Sequence, residues 1–310
     1  MLKIISKLVD LGPRYGKKEI EAAKLITDEL SSLNIPFEED VFETSVPNII
    51  RAELFADSIK IPCVGSSLFS GEIKSGEFII SAVGYSGKKR PFNISYNPLT
   101  DEISVMEFYV EPSVTVSRNS IAQIIMAKEV RGVIEVEKEY FTSKNILVGN
   151  SVNPKNIVFA HYDSIVGGGA IDNAGAVAVS LEIIKQNSKL LLDTLFVFSG
   201  NEEISYDDYE TKSGYGFRIF EEKHAEIIKN SKQIVVIDGI GLGTPLFGQT
   251  GLDWVFQIKL LDKVKNKIYW LQNNQGDVLK YFHTSADSFD KLSEDHLEEA
   301  KIALLEKIGG

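Results

Sequence analysis

Apolar residues recur at three- and four-residue intervals from Leu2 to Leu33, with one break at Gly12-Pro13-Arg14-Tyr15-Gly16. That spacing gathers them on one helical face, so the segment predicts two amphipathic helices joined by a turn, the second beginning near Lys17. Past Ile35-Pro36 the pattern shortens to alternation. Residues 37–42, 49–55, 78–83 and 103–110 read as strands separated by Gly, Pro and Asn clusters. A helical stretch over 119–130 interrupts them before Val133-Ile134-Glu135-Val136-Glu137 resumes strand character. After Ser143 the order becomes strand 157–160, helix 173–186, strand 195–198, helix 213–229 and strand 234–237, and an amphipathic helix over 293–308 follows later.

Alternating strands and helices predict an α/β fold with a mostly parallel central sheet and helices on both faces. The simplest division is an α/β domain of residues 1–50 and 144–310, interrupted by a β-rich insertion over 51–143. Lys88-Lys89-Arg90 is short and isolated and reads as a solvated turn.

Composition narrows the chemistry. The 310 residues are 44% hydrophobic and 25% charged, an ordinary globular balance that excludes disorder as the main state. A formal net charge of −11 repels phosphate backbones and anionic surfaces, so neither nucleic acid nor membrane is expected as a partner. Cys63 is the single cysteine, which leaves no disulfide within the chain and no thiolate cluster, so a metal would be held by His and carboxylate. No apolar run reaches membrane-spanning length and the start Met1-Leu2-Lys3-Ile4 lacks a signal-peptide core, so a cytoplasmic enzyme is the expectation.

In an open parallel sheet, ligands bind beyond the carboxyl ends of the strands. Three apolar runs end in metal-ligand chemistry: Ile157–Ala160 runs into His161-Tyr162-Asp163-Ser164, Leu195–Phe198 into Ser199-Gly200-Asn201-Glu202-Glu203, and Ile234–Ile237 into Asp238-Gly239. Between the first two, Gly167-Gly168-Gly169 feeds Ala170-Ile171-Asp172-Asn173, a turn able to bring an Asp back over the strand ends. His283-Thr284 and Asp287 come late in the chain. A pair of divalent cations needs imidazole and carboxylate ligands, one of them shared, and a base outside the ligand set. His161, Asp172, Glu203, Asp238 and His283 fill that ligand requirement, and of the adjacent acids Glu202 and Glu203 one can bind metal while the other carries protons.

At these residues, in this order and strand-end context, the sequence resembles the zinc exopeptidase family of bacterial leucyl aminopeptidase and glutamate carboxypeptidase, with glutaminyl cyclase as a divergent relative. The resemblance covers roughly residues 1–50 and 144–310. It implies two zinc ions, with cobalt or manganese as substitutes, bridged by Asp172; His161 and Asp238 complete one site, Glu203 and His283 the other. It further implies Glu202 as general base and then acid, Asp163 bonded to the far nitrogen of His161, and Asp287 in the same role for His283. The insertion resembles, more weakly, a protease-associated domain, on the run Glu111–Ser117 and the helix and strand after it.

The reaction so implied is hydrolysis of a peptide bond at a chain end, with short peptides as substrates and an aminopeptidase as the leading reading. A carboxypeptidase, a glutaminyl-cyclase-like acyl transferase and a non-catalytic homologue that binds peptides remain alternatives; oligomer formation is also open. His224 and His296 lie in charged helical surroundings and read as exposed residues without a role. The acidic stretch Asp207-Asp208-Tyr209-Glu210 reads as a solvated loop, and Trp254, Phe256, Tyr269 and Trp270 read as core first and pocket lining second.

Overall fold

A computed structural model of the chain describes residues 1–82 and 92–309. The expected turn at Lys88-Lys89-Arg90 lies outside the described residues, as does Val83 at the end of one expected strand. The strands are β1 (Glu38–Ala56), β2 (Ile59–Ile61), β3 (Cys63–Gly65), β4 (Gly71–Ile73), β5 (Phe78–Ala82), β6 (Phe92–Tyr96), β7 (Ser113–Val116), β8 (Val130–Gly149), β9 (Asn156–His161), β10 (Thr194–Ser199), β11 (Gln233–Ile237), β12 (Leu246–Gly248) and β13 (Ile268–Gln272). The larger sheet has the order β12-β13-β11-β9-β10-β8-β1-β2, with β4 also paired to β8, and the smaller has the order β3-β7-β6-β5.

The centre of the larger sheet, β13-β11-β9-β10, is parallel. β8 and β12 flank it in antiparallel pairing, so the whole is mixed. The central strands are apolar at nearly every position because both faces are covered. Val158, Ala160, Phe196, Phe198, Val235 and Ile237 face one layer, made of the helices Leu2–Val9, Lys17–Ser32, Gly175–Gln186 and Glu294–Gly309. Their alternates, Ile157, Phe159, Leu195, Val197, Ile234 and Val236, face the helix Tyr215–Asn230 and short helices beyond it. Phe159 meets Phe220 edge to face at 5.1 Å and Phe217 at 5.6 Å. Truncating such a fully buried ring costs about 3–5 kcal/mol.

The N-terminal helices fall where the apolar spacing puts them, Leu2–Val9 and Lys17–Ser32. The two runs expected over 37–42 and 49–55 join into the single strand β1, which pairs with β8 from Glu38↔Leu147 to Ala56↔Val130. Pro47 sits inside it because β1 is an edge strand at that point, where a missing donor is tolerated. The helix expected over 119–130 shrinks to a turn and Ile121–Met126, since Val130 already belongs to β8. Residues 103–110 form no strand. Their backbone is bonded elsewhere: Val105 N donates to His283 O at 3.1 Å and Tyr109 N to Ser66 O at 2.9 Å. β12 and β13 close the far edge of the sheet in a region without a clear alternating pattern.

Candidate metal centre and cleft

Three of the site loops leave the carboxyl ends of the parallel strands side by side. His161 ends β9, Asn201-Glu202-Glu203 follows β10 and Asp238 follows β11. Asp172 enters from the turn Ala170–Ala174 and His283 from the loop after the helix Gln275–Val278. The structure brings all five predicted ligand residues together. His161 Nε2 lies 3.0 Å from Asp172 Oδ1 and 3.8 Å from Asp238 Oδ1. His283 Nε2 lies 2.7 Å from Glu203 Oε2 and 3.4 Å from Asp172 Oδ2. The two oxygens of Asp172 thus face two separate groups, each with one imidazole and one further carboxylate.

Asp238 is half-buried and the other four side chains are buried, yet Asp172 Oδ1, Glu203 Oε1 and His283 Nε2 make no well-formed hydrogen bond. Orphaned acceptors at this depth cost about 1–3 kcal/mol each unless something satisfies them. Donor atoms of His161, Asp172 and Glu203 lie within 4.8 Å of one another, and a nitrogen–oxygen donor set at that spacing suits a divalent ion such as zinc. The residues fit a metal.

The electrostatics carry the same signature. Burial raises the Asp172 carboxyl, but the adjoining His161 and His283 imidazoles outweigh it and hold the group below the usual carboxylate range. Burial pushes Glu203 up to about 7, with His283 opposing it. Burial also drives Glu202 well above the ordinary range; the His161 imidazole opposes this, while the Glu203 and Asp163 carboxylates reinforce it. For both histidines burial works downward but the surrounding carboxylates win, so each is raised. Glu202 is 7% exposed and lines the cleft beside the cluster.

Around the cluster lies a set of orienting contacts. Asp163 turns Oδ1 towards His161 Nδ1 at 3.4 Å and accepts from Glu203 N–H through Oδ2 at 2.9 Å, tying two strand ends together. Asp287 does not reach His283, contrary to the role the resemblance implied. Its oxygens instead accept from Ile171 N at 2.7 Å and Asp172 N at 3.1 Å, fixing the turn that carries Asp172. His283 is oriented from the opposite side, where Val105 O accepts from its Nδ1 at 2.7 Å and leaves Nε2 to face the carboxylates.

Two buried charged residues escaped the sequence reading. Arg14, fully buried, donates to Tyr162 O at 2.8 Å, Leu8 O at 3.3 Å, Gly169 O at 3.1 Å and Gly168 O, and so clamps the end of β9 to the glycine turn before Asp172. That turn is packed rather than loose: a Cβ on Gly169, which has φ +54°, would run into Asp172 O and Ser164. Glu19 accepts from Asn201 N at 3.1 Å and from Ser143 Oγ, bracing the left-handed residue (φ +51°) that precedes Glu202. Burial, with Asp163 nearby, raises Glu19 well above the usual range.

Other side chains go to structural duties. Asp207 pairs with Arg218 at 2.5 Å, and this pair is nearly buried rather than solvated. His224, half-buried, pairs with Asp40 at 2.7 Å, and His296 with Glu299 at 3.2 Å. Burial pushes the Cys63 thiol up to about 11, which keeps it out of nucleophilic chemistry. Of the four aromatics, Phe256 and Trp270 are buried, while Trp254 and Trp270 line the cleft.

The cleft has a volume of about 620 Å³ and opens directly onto the cluster. Residues 146–250, which include every ligand candidate except His283, match the sequence model of Peptidase family M28. The fold is shared with an aminopeptidase from Aneurinibacillus sp. strain AM-1, at 16% identity and TM-score 0.66 over 98% of this chain and 92% of that one. It is also shared with BSAP, a zinc aminopeptidase from Bacillus subtilis, at 15% identity and TM-score 0.69 over 99% and 94%. A glutaminyl cyclase from an Acidobacteriales bacterium aligns at 15% identity and TM-score 0.55 over 99% and 92%. Comparison with curated protein sequences gives no match. The α/β architecture is that of the aminopeptidase-like proteins, and the M28 pattern falls on the segment that carries most of the cluster. No helix among the described residues is long and apolar enough to cross a membrane.

Proposed function

We propose that the chain is an M28-type metallopeptidase that removes residues from the amino end of short peptides. The observation that carries this reading is the convergence of His161, Asp172, Glu203, Asp238 and His283 on one buried point with Glu202 beside it at the mouth of a cleft. His161, Asp172 and Asp238 would hold one divalent ion, and Asp172, Glu203 and His283 a second. Such ions, when bound, supply Lewis acidity that polarises a carbonyl and acidifies water.

The protein's own contribution lies in proton handling and orientation. Glu202 accepts the proton of the attacking water and delivers it to the departing amine, a role suited to a carboxyl whose affinity for protons burial has raised. Asp163 and the Val105 carbonyl fix the two imidazoles, and Asp287 and Arg14 fix the arm that carries Asp172. Likeness to the Acidobacteriales glutaminyl cyclase favours a second reading, acyl transfer within a substrate on the same residues.

The test is incubation of zinc-loaded protein with mixed short peptides, with and without chelator, read by mass spectrometry. Chelator-sensitive shortening from the amino end is the expected result. Shortening from the carboxyl end would keep the mechanism and change the substrate class, and cyclised products without shortening would favour acyl transfer.

A further inference from the structure

We propose that Asn97 and Ser104 are positioning residues for His283: they set how tightly its group of ligands, with Asp172 and Glu203, takes a divalent ion, and leave the His161 group alone. This rests on the two-ion reading above, not on which end of a peptide is cut. The two imidazoles are supported differently. His161 closes β9 and lies in register with Ser199 of β10, so the sheet itself holds its backbone. His283 lies in a loop with a left-handed backbone, φ +50°, which a residue bearing a side chain keeps only where its surroundings over-determine it. That loop closes turns on either side, Phe282 N to Val278 O and Thr284 N to Tyr281 O, each at 3.0 Å. Among the described residues, none of the hydrogen bonds within the loop reaches the His283 carbonyl or ring.

Those atoms are held from outside, by the segment between β6 and β7. Val105 N donates to His283 O at 3.1 Å, and His283 Nδ1 donates to Val105 O at 2.7 Å. Behind this pair, Ser104 Oγ donates to Phe282 O at 2.8 Å and accepts from Asn97 Nδ2 at 3.1 Å, and the same amide donates to Leu279 O at 2.8 Å. Asn97 and Ser104 are both buried, so removing either leaves a buried carbonyl short of a donor. Phe282, whose carbonyl Ser104 fixes, stacks on the His283 imidazole with ring centres 3.6 Å apart. The two side chains thus steady the main chain that carries both the ring and its stacking partner, and among the described residues neither bonds to His161 or Asp238. An imidazole already held in place loses less freedom on entering a coordination set, so the clasp favours an ion in this group. The coupling is reciprocal: an ion bound by His283 steadies the segment that presents Met106, Glu107 and Phe108 to the cleft, so metal loading also firms that wall.

The experiment measures zinc affinity by competition with a chelator in two backgrounds, His161→Ala, which keeps the His283 group, and His283→Ala, which keeps the His161 group. Added to the first, Asn97→Ala and Ser104→Ala are each expected to weaken zinc about three- to tenfold. Added to the second, they are expected to change it by less than about twofold, and Ser104→Thr, which keeps the hydroxyl, should restore the affinity that Ser104→Ala loses. Hydrogen exchange, read on peptides covering 97–109, needs no substitution in the clasp and so stands even if a variant fails to fold. Zinc should slow exchange there in the parent protein and in His161→Ala, and not in His283→Ala. Equal weakening in both backgrounds, no weakening in either, or exchange over 97–109 that zinc does not change would overturn the proposal while the parent still binds two ions. A parent that binds one ion, lost in both histidine variants alike, would overturn the two-ion reading and this proposal together.

Discussion

The two walls of the cleft are made by different parts of the chain and fixed in different ways. One wall is the row of strand ends at β9, β10 and β11, where ligands are braced by buried polar bonds to Arg14, Asp163, Glu19 and Asp287. The other includes Met106, Glu107 and Phe108, from the stretch between the two long strands β1 and β8. That stretch is pinned by a few contacts: Ser104 Oγ to Phe282 O at 2.8 Å, Asn97 Nδ2 to Leu279 O at 2.8 Å, and the Val105–His283 pair. The first wall resists displacement because moving any ligand breaks several buried bonds. The second can vary in what it presents while the chemistry stays in place. The two meet where the Val105 carbonyl orients the His283 imidazole and where Phe108 packs with Ile165 and Ile204 of the strand-end loops.

The sharpest way to break this contrast is Glu202→Gln. Turnover should fall by about 10²–10⁴-fold while metal content, read by elemental analysis, stays as it was. Full activity in that variant would remove Glu202 from the mechanism. Next in size are Asp163→Asn and Asp287→Asn, which loosen ligands without deleting one. Each should weaken metal affinity about 10–100-fold in a competition titration with a chelator. On the opposite wall, Ser104→Ala and Asn97→Ala should weaken metal affinity less than the strand-end variants do and lower kcat/KM by about two- to tenfold through KM. If they changed metal affinity as strongly as the strand-end variants, the walls would not be separable.

A fourth prediction concerns stability rather than turnover. In the metal-free protein Asp287 and Glu203 are each raised to about 7, so the folded state holds protons that the unfolded chain has released. Their contribution is full below about pH 4 and declines as pH rises to about 7. The raised histidines act in the same sense over a higher range, and the depressed Asp172 acts oppositely only at lower pH. Urea denaturation in chelator should therefore show less stability at pH 7 than at pH 5, with a shallower decline in Asp287→Asn. A flat profile would contradict the assignment.

Much of the strand-end wall was legible in the sequence because each candidate follows a short apolar run, and the end of a buried strand has few other uses for an acid or imidazole. The braces were harder to see. Glu19 lies on the helix face of Ala22, Ala23 and Ile26, and a carboxylate on an apolar face was an available signal of burial. Arg14 gave no such signal: within Gly12–Gly16 it reads as part of a turn, and its four carbonyl partners come from three separate segments. The second wall misled because alternation over 103–110 is that of a strand, whereas the backbone there is bonded to His283 and Ser66. Alternation reports burial on one side, not which partner supplies the bonds.

The bond between Val105 and His283 spans 178 residues, and Arg14 reaches Gly168 across 154. During synthesis, then, the strand ends and the first carboxylates emerge long before the second imidazole and the carbonyl-bound loop around it. A nascent chain still lacking residue 283 can expose His161, Asp172, Glu203 and Asp238 but cannot complete the arrangement around Asp172. The full set of groups around Asp172 is therefore present only once residue 283 has been made.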